Sequence, residues 1–220
     1  MKMSTDKAQD VNPSRPIPDN SRDKIIKAAM KVFAKYPYHT ATLRMVGKEA
    51  GLHHQAIAHY FPTKADLFEA VVSEACDDFC NANQSWFEGL DRIGIEQGLR
   101  LFVERLLEYF SKTPEPFRMT ALNAPMIERL DELPGYQHTV EMRSKVRANF
   151  KNNLPPSVDQ VMLERFTMTF DTAIYSYLGA AHSQAEILGM DPAGEEYKDW
   201  VKETLICVFL PLLKNLISPE

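Results

Sequence analysis

Two short stretches of helical periodicity, over residues 42–50 and 54–60, are separated by only three residues, and one of the three is Gly51. This arrangement constrains the chain more than any other feature. Neither stretch is long enough to hold as a helix alone, so both must pack on a shared core. Thr42 is placed to cap the first, with Leu43, Val46 and Ala50 inward, and Gly51 falls where a left-handed C-cap is wanted. Ile57 and Phe61 anchor the second, and Phe61-Pro62 closes it. Thr63-Lys64-Ala65-Asp66 reads as a variant capping box opening a longer helix, with Leu67, Phe68, Val71, Ala75 and Phe79 apolar. Upstream, Ser21 is expected to cap a helix carrying Ile25, Ile26, Ala29, Val32 and Phe33, which Pro37 stops. A short helix, a glycine turn and a second short helix, propped by a third, make a helix-turn-helix.

Past this module, prolines and glycines punctuate longer helical stripes. One covers about 95–111, with Leu99, Phe102, Val103, Leu106, Leu107 and Phe110 inward. A short one follows Pro116 and ends near Pro125, another lies near 136–152, a long one fills 157–189, and the last covers 194–217, with Pro211 expected to kink or end it. The reading is an all-α fold of about nine helices, with no period-two strand and no internal repeat. The first 20 residues, with Pro13, Pro16 and Pro18, read as a polar, disordered tail. Residues 21–73 are expected to form one domain and 74–220 a second.

A net charge of −5 argues against a nucleic-acid binder, but the charge is unevenly spread. Residues 21–73 carry eight Lys and Arg against four Asp and Glu, while residues 74–220 carry fourteen against twenty-three. His39, His53, His54 and His59 also fall in the basic segment. Opposite charge in two halves suggests two tasks, one of them directed at an anion. The longest apolar run near the C-terminus, Leu205–Leu213, is too short to span a bilayer, and no signal peptide is read, so a cytoplasmic protein without a membrane partner is expected. Cys76, Cys80 and Cys207 are too few for a disulfide framework.

The stretch from Thr42 to Leu52, then Ala56-Ile57-Ala58-His59-Tyr60-Phe61-Pro62-Thr63-Lys64-Ala65-Asp66-Leu67-Phe68, resembles the N-terminal domain of TetR-family transcriptional regulators. The likeness is specific over residues 21–73; beyond them only the layout of helices is similar. The resemblance implies a dimeric repressor that binds a double-stranded DNA operator through its N-terminal domain and a small-molecule effector through its C-terminal one. By position, Thr42 and Arg44 stand at the first helix of the motif, His53, His54, Gln55, Ala56 and His59 line the recognition surface, and Tyr60 and Lys64 match sites that touch phosphates. Lys64 also lies in the first turn of a helix, where the dipole disfavours a cation, so an external anion is the expected partner.

Met and aromatic residues are dense after residue 86 and suit an adaptable apolar pocket, expected around Phe102, Leu106, Tyr109, Met119, Met126, Phe166, Phe170 and Asp171. Asp171 sits in an apolar stripe and, if it faces inward, needs a partner: Arg165, another helix, or a ligand; the alternative is a solvent-facing or structurally paired Asp. A dimer interface is expected where the small residues Ser176, Gly179, Ala180 and Ser183 meet the terminal helix with Leu205, Val208, Phe209 and Leu212, pairing two helices per subunit across a two-fold. Cys76 and Cys80 share a helix face but lack a nearby histidine, so no metal is expected. No phosphate loop, nucleophile elbow or metalloprotease motif is present, so neither an enzyme nor a cofactor is expected. The competing reading is a helical small-molecule-binding protein without operator function. An activator would bind DNA in the same way as a repressor.

Overall fold

The computed structural model describes residues 20–123 and 132–217, and every regular element in them is helical. Of the polar tail expected over residues 1–20, residues 1–19 lie outside the described residues, as do Pro125 and Met126, while Asn20 already belongs to the first helix. The helices are α1 (Asn20–Phe33), α2 (Leu43–Ala50), α3 (His54–Tyr60), α4 (Lys64–Trp86), α5 (Ile95–Lys112), α6 (Glu115–Asn123), α7 (Tyr136–Asn152), α8 (Gln160–Ile174), α9 (Ala181–Leu188) and α10 (Glu195–Ile217). A 3-10 turn, Leu90–Arg92, leads into α5.

Local signals set most boundaries. Thr42 caps α2 by accepting the Met45 N–H, and Gly51 takes the left-handed conformation (φ 61°) that ends it. Both bonds of the capping box form at Thr63: its side chain accepts from the Asp66 N–H, and Asp66 accepts from the Thr63 N–H. Asp159 caps α8 through the Met162 N–H. Ser21, expected as the first cap, lies inside the first turn instead, because α1 starts at Asn20. Pro211 does not end α10, which runs on six residues to Ile217 with Pro211 on its exposed side.

The main departure concerns residues 157–189. In place of one long helix there are α8, a π turn over Tyr175–Gly179, a bend at Ala180, and α9. The cause is α6. A Cβ built at Gly179 would lie 2.6 Å from the Phe117 carbonyl oxygen and 2.7 Å from the Ala121 Cβ, so only glycine lets the two backbones come this close. A π turn inserts one extra residue and shifts the phase of the stripe over so few residues that the sequence reads as one helix.

Two cores result. The first joins Ile25, Ile26, Ala29, Val32 and Phe33 to Val46, Ile57, Phe61, Leu67, Phe68 and Val71, and continues past residue 73 through Cys76, Cys80, Met119, Met142 and Val146. The second gathers the apolar faces of α5, α8 and α10, with Trp86 and Phe117. Full burial of a large apolar side chain contributes about 1.5–3 kcal/mol, enough for the three N-terminal helices to be held chiefly by packing. Phe79 on α4 touches both cores, its ring 5.3 Å from Trp86 and 6.0 Å from Phe117. The long α4 thus leaves the helix-turn-helix and enters the larger helical body.

Candidate DNA-binding face and ligand cavity

The turn between α2 and α3 is tight because α2 carries Gly47 on its inner face. A Cβ there would stand 2.8 Å from the Leu52 carbonyl oxygen. Val46, Ala50 and Ile57 close the interior of the motif. Outside, Thr42, Arg44 and Lys48 of the first helix and His53, His54, Gln55 and His59 of the second are exposed. None of the side chains of Arg44, Lys48, His54, Gln55 and His59 has a hydrogen bond or ion pair to another described residue. His53 and His54 stack with centroids 4.6 Å apart, and His53 gives α3 no side-chain cap. The three exposed polar side chains of α3, His54, Gln55 and His59, together with Arg44 and Lys48 of α2, have no polar partner among the described residues and form a face suited to an external polyanion. Ala56 and Tyr60 are half-buried; Tyr60 leans on the core and sets its ring edge to His59, 5.3 Å away.

Lys64 is placed otherwise than expected. Its ammonium donates to the carbonyls of Tyr38 at 2.7 Å, Ala41 at 3.1 Å and His39 at 3.4 Å, and lies 4.4 Å from the centre of the Tyr38 ring. The loop between α1 and α2 supplies the negative groups that offset the helix dipole, so no external anion is required.

Behind this face lies an apolar cavity of about 130 Å³, bounded by α4, α6, α7 and Tyr175. Phe68, Val72, Cys76, Phe117, Met119 and Met142 supply much of its wall, and Arg143 and Asn123 are among its few polar residues. Of the pocket residues expected from sequence, Met119 lines this cavity. Phe102, Leu106, Phe166 and Phe170 are buried core: Phe166 and Phe170 stack at 6.0 Å and meet Phe209 at 5.7 and 4.8 Å. Tyr109 packs edge-on to Phe79 and Trp86, and burial pushes its phenol up to about 12. The pocket residues expected on α5 and α8 are thus core, except Asp171, and the opening falls against α6 and α7, one layer nearer the N-terminal domain.

Asp171 lines a smaller recess beside the cavity, with Arg143, Val146 and Tyr175. Burial raises its carboxyl to about 6, against the pull of Arg143 and Arg147 on α7. Its charge partners therefore come from another helix and not from Arg165, whose guanidinium points to the Met162 sulfur at 3.9 Å. Tyr175 is pushed up to about 12, mainly by burial and further by Asp171. Arg143 was not anticipated, although it follows Tyr136, Thr139 and Val140 at helical spacing, a stripe that faces the cavity. Cys76 lines the cavity as a free thiol raised to about 11 by burial, and the described residues hold no cluster of three metal-ligating side chains.

The expected dimer residues divide. Gly179 is spent against α6, and Leu205 and Phe209 are committed to the chain's own core at 1 % exposure. Val208 and Leu212 point outward, 48 % and 42 % exposed, and on α8 Val161 and Met168 do the same. Ser176 and Ala180 are half-buried and Ser183 is exposed. Among the described residues no helix is long and apolar enough to cross a membrane.

Comparison with known proteins agrees with this geometry. Residues 25–71 match the profile of bacterial regulatory proteins of the tetR family. Over 191 residues, 83 % of this chain and 88 % of the other, the sequence is 27 % identical to the HTH-type transcriptional repressor NicS of Pseudomonas putida. A 57-residue segment is 39 % identical to the repressor AcnR of Corynebacterium glutamicum, covering 26 % of this chain and 30 % of that one. Among solved structures, a TetR-family regulator from Bordetella parapertussis superposes with a TM-score of 0.63 at 19 % identity, over 91 % of this chain and all of that one. The regulator FadR from Bacillus subtilis, solved in complex with stearoyl-CoA, gives 0.58 at 16 % identity over 90 % and 98 %. These likenesses concern the fold.

Proposed function

Starting from residues 25–71 as the DNA-binding domain of a TetR-family transcriptional regulator, we propose that the chain is a homodimeric, ligand-released repressor of a palindromic operator. The observation that carries this reading is the outward face of α3 and α2, where Arg44, His54, Gln55 and His59 are exposed without a hydrogen bond or ion pair to another described residue. Folding gives no reason for such a set, whereas base edges and phosphates do. In this reading residues 21–73 bind DNA, residues 74–220 bind effector and a second subunit, the protein works in the cytoplasm, and it catalyses nothing.

Release follows from the cavity's position. It shares α4 with the helix-turn-helix, and its α6 wall ends at Asn123, beside the loop that leads into α2. An effector that fits one arrangement of α4 and α6 better than another shifts the spacing of the two recognition helices, provided its affinity differs between the two. The relatives named as repressors support this direction of control.

Selection of bound sequences from random duplex DNA tests the proposal. A half-site should emerge twice, inverted, with centres about 34–36 Å apart or a multiple of that. Gln55→Ala should relax preference at one position of each half-site, since a bidentate contact to adenine gives about 1–3 kcal/mol of discrimination. Failure to enrich any duplex overturns the reading in favour of a helical small-molecule-binding protein.

A further inference from the structure

We propose that the cavity between α4, α6 and α7 takes a small monocarboxylate with an apolar body the size of one aromatic ring, and that Arg143 holds its carboxylate. The inference rests on the regulatory reading above and deepens it by naming the effector's class.

Size comes from the volume. A cavity of about 130 Å³ is close to the roughly 150 Å³ that accommodates benzene in an apolar protein interior. The wall is chiefly hydrocarbon and thioether, from Phe68, Val72, Phe117, Met119 and Met142. Such a lining favours a ring or a compact branched chain and gives little to a sugar or a nucleotide.

Charge comes from Arg143. Its Nε–H is buried and meets no acceptor, and no carboxylate among the described residues pairs with it within 4 Å. The guanidinium lies 5.8 Å from the Tyr175 ring centre, engages the Tyr175 hydroxyl and attracts the Asp171 carboxylate, so its Nε–H is the donor that remains open. Asp171 faces it across the neighbouring recess, and Arg147, one turn further along α7, is already held by Glu164 at 3.2 Å. The other polar groups of the wall are largely engaged: the Asn123 amide donates to the Met119 carbonyl and accepts from Tyr38, and the Thr120 hydroxyl donates to Pro116. An unpaired buried donor is costly, and a ligand carboxylate would supply the missing acceptor with a charge-assisted bond.

The test is calorimetry on the full chain without DNA, using benzoate, its neutral counterpart benzyl alcohol, and stearate. Benzoate should bind one per chain, about 10- to 100-fold more tightly than benzyl alcohol, and stearate should not compete. Arg143→Gln should erase the preference for benzoate over benzyl alcohol, while Arg143→Lys should keep part of it. Equal affinity of the wild type for benzoate and benzyl alcohol, or displacement of benzoate by stearate, overturns the proposal without need of any variant. Operator binding that persists when this preference is absent leaves the regulatory reading standing and sinks only the ligand class. The preference without binding to any duplex does the reverse.

Discussion

The side-chain oxygen of Asn123 accepts the backbone N–H of Tyr38 at 2.8 Å, joining the last residue of α6 to the loop that enters the helix-turn-helix. Asn123 is 2 % exposed and its amide nitrogen is bound in turn to the Met119 carbonyl, so the α6 end of this part-buried link is fixed. The same loop is held from the other side by Lys64 at the start of α4. Asn123 also lines the cavity. One residue therefore belongs to both the ligand wall and the support of the DNA-binding face.

Asn123→Ala should leave the Tyr38 N–H buried without an acceptor and lower the unfolding free energy by about 1–3 kcal/mol. Amide exchange at Tyr38 should quicken by more than exchange in α5, which lies in the other core. Unchanged protection at Tyr38 would show that the bond does not hold the loop in solution.

Lys64 and Arg44 separate a brace from a contact. Lys64→Met removes a cation whose donors are taken by three carbonyls, so it should reduce stability, by about 1–3 kcal/mol for a hydrogen-bonded charge, and leave the salt dependence of DNA binding as it was. Arg44→Ala should hardly alter stability, since Arg44 is exposed, but should lower the steepness of log affinity against log salt by about 0.9. The slope measured from 50 to 300 mM salt on one operator, about a Debye length of 14 Å down to 6 Å, distinguishes them. A reduced slope for Lys64→Met would return that residue to the phosphate backbone.

Much of this was legible in the chain because local chemistry decided it. Thr42, Gly51 and the Thr63–Asp66 box act over three or four residues, and each stands where its sequence context requires. The interior of the first core followed from helical periodicity for the same reason. What stayed hidden depends on residues far apart. Lys64 finds its acceptors some 23–26 positions upstream, and Gly179 is dictated by Phe117 and Ala121 on another helix. Density of methionine and aromatic residues marked the C-terminal half as apolar but could not tell a filled layer from an open one. Phe166 and Phe170 are filled by Phe209, whereas Tyr136 and Arg143 border space.

Asp171 makes stability depend on pH in an uncommon direction. Its carboxyl titrates near 3.8 in the unfolded chain and about 6 when folded, so between these values the folded state binds more protons and stability falls as pH rises. The penalty is absent below the lower value and complete above the upper one, on the order of 3 kcal/mol. Asp171→Asn carries no such charge. It should be more stable than the wild type at about pH 8 and converge with it by about pH 4, in urea unfolding at each pH. A constant difference across this range would mean that Asp171 stays ionised without cost, paired to Arg143 or Arg147.

The outward apolar residues of α8 and α10 yield the last expectation. Val161 and Met168 on α8, and Val208 and Leu212 on α10, keep from 42 % to 54 % of their surface in water although each helix buries its opposite side through Phe166, Phe170 and Phe209. Two helices that pack together and each leave an apolar stripe outside form one half of a four-helix bundle, which a two-fold axis would complete with the same patch from both subunits. The two-fold is also what an inverted operator requires. Val208→Asp combined with Leu212→Asp should therefore turn a dimer into a monomer and remove tight operator binding. Helicity should remain, because neither side chain belongs to the core. Sedimentation at micromolar concentration, with circular dichroism on the same samples, decides the matter. A wild-type monomer, or a doubly substituted protein that still sediments as a dimer, would move the subunit contact away from α8 and α10, and the spacing of the recognition helices would then need another origin.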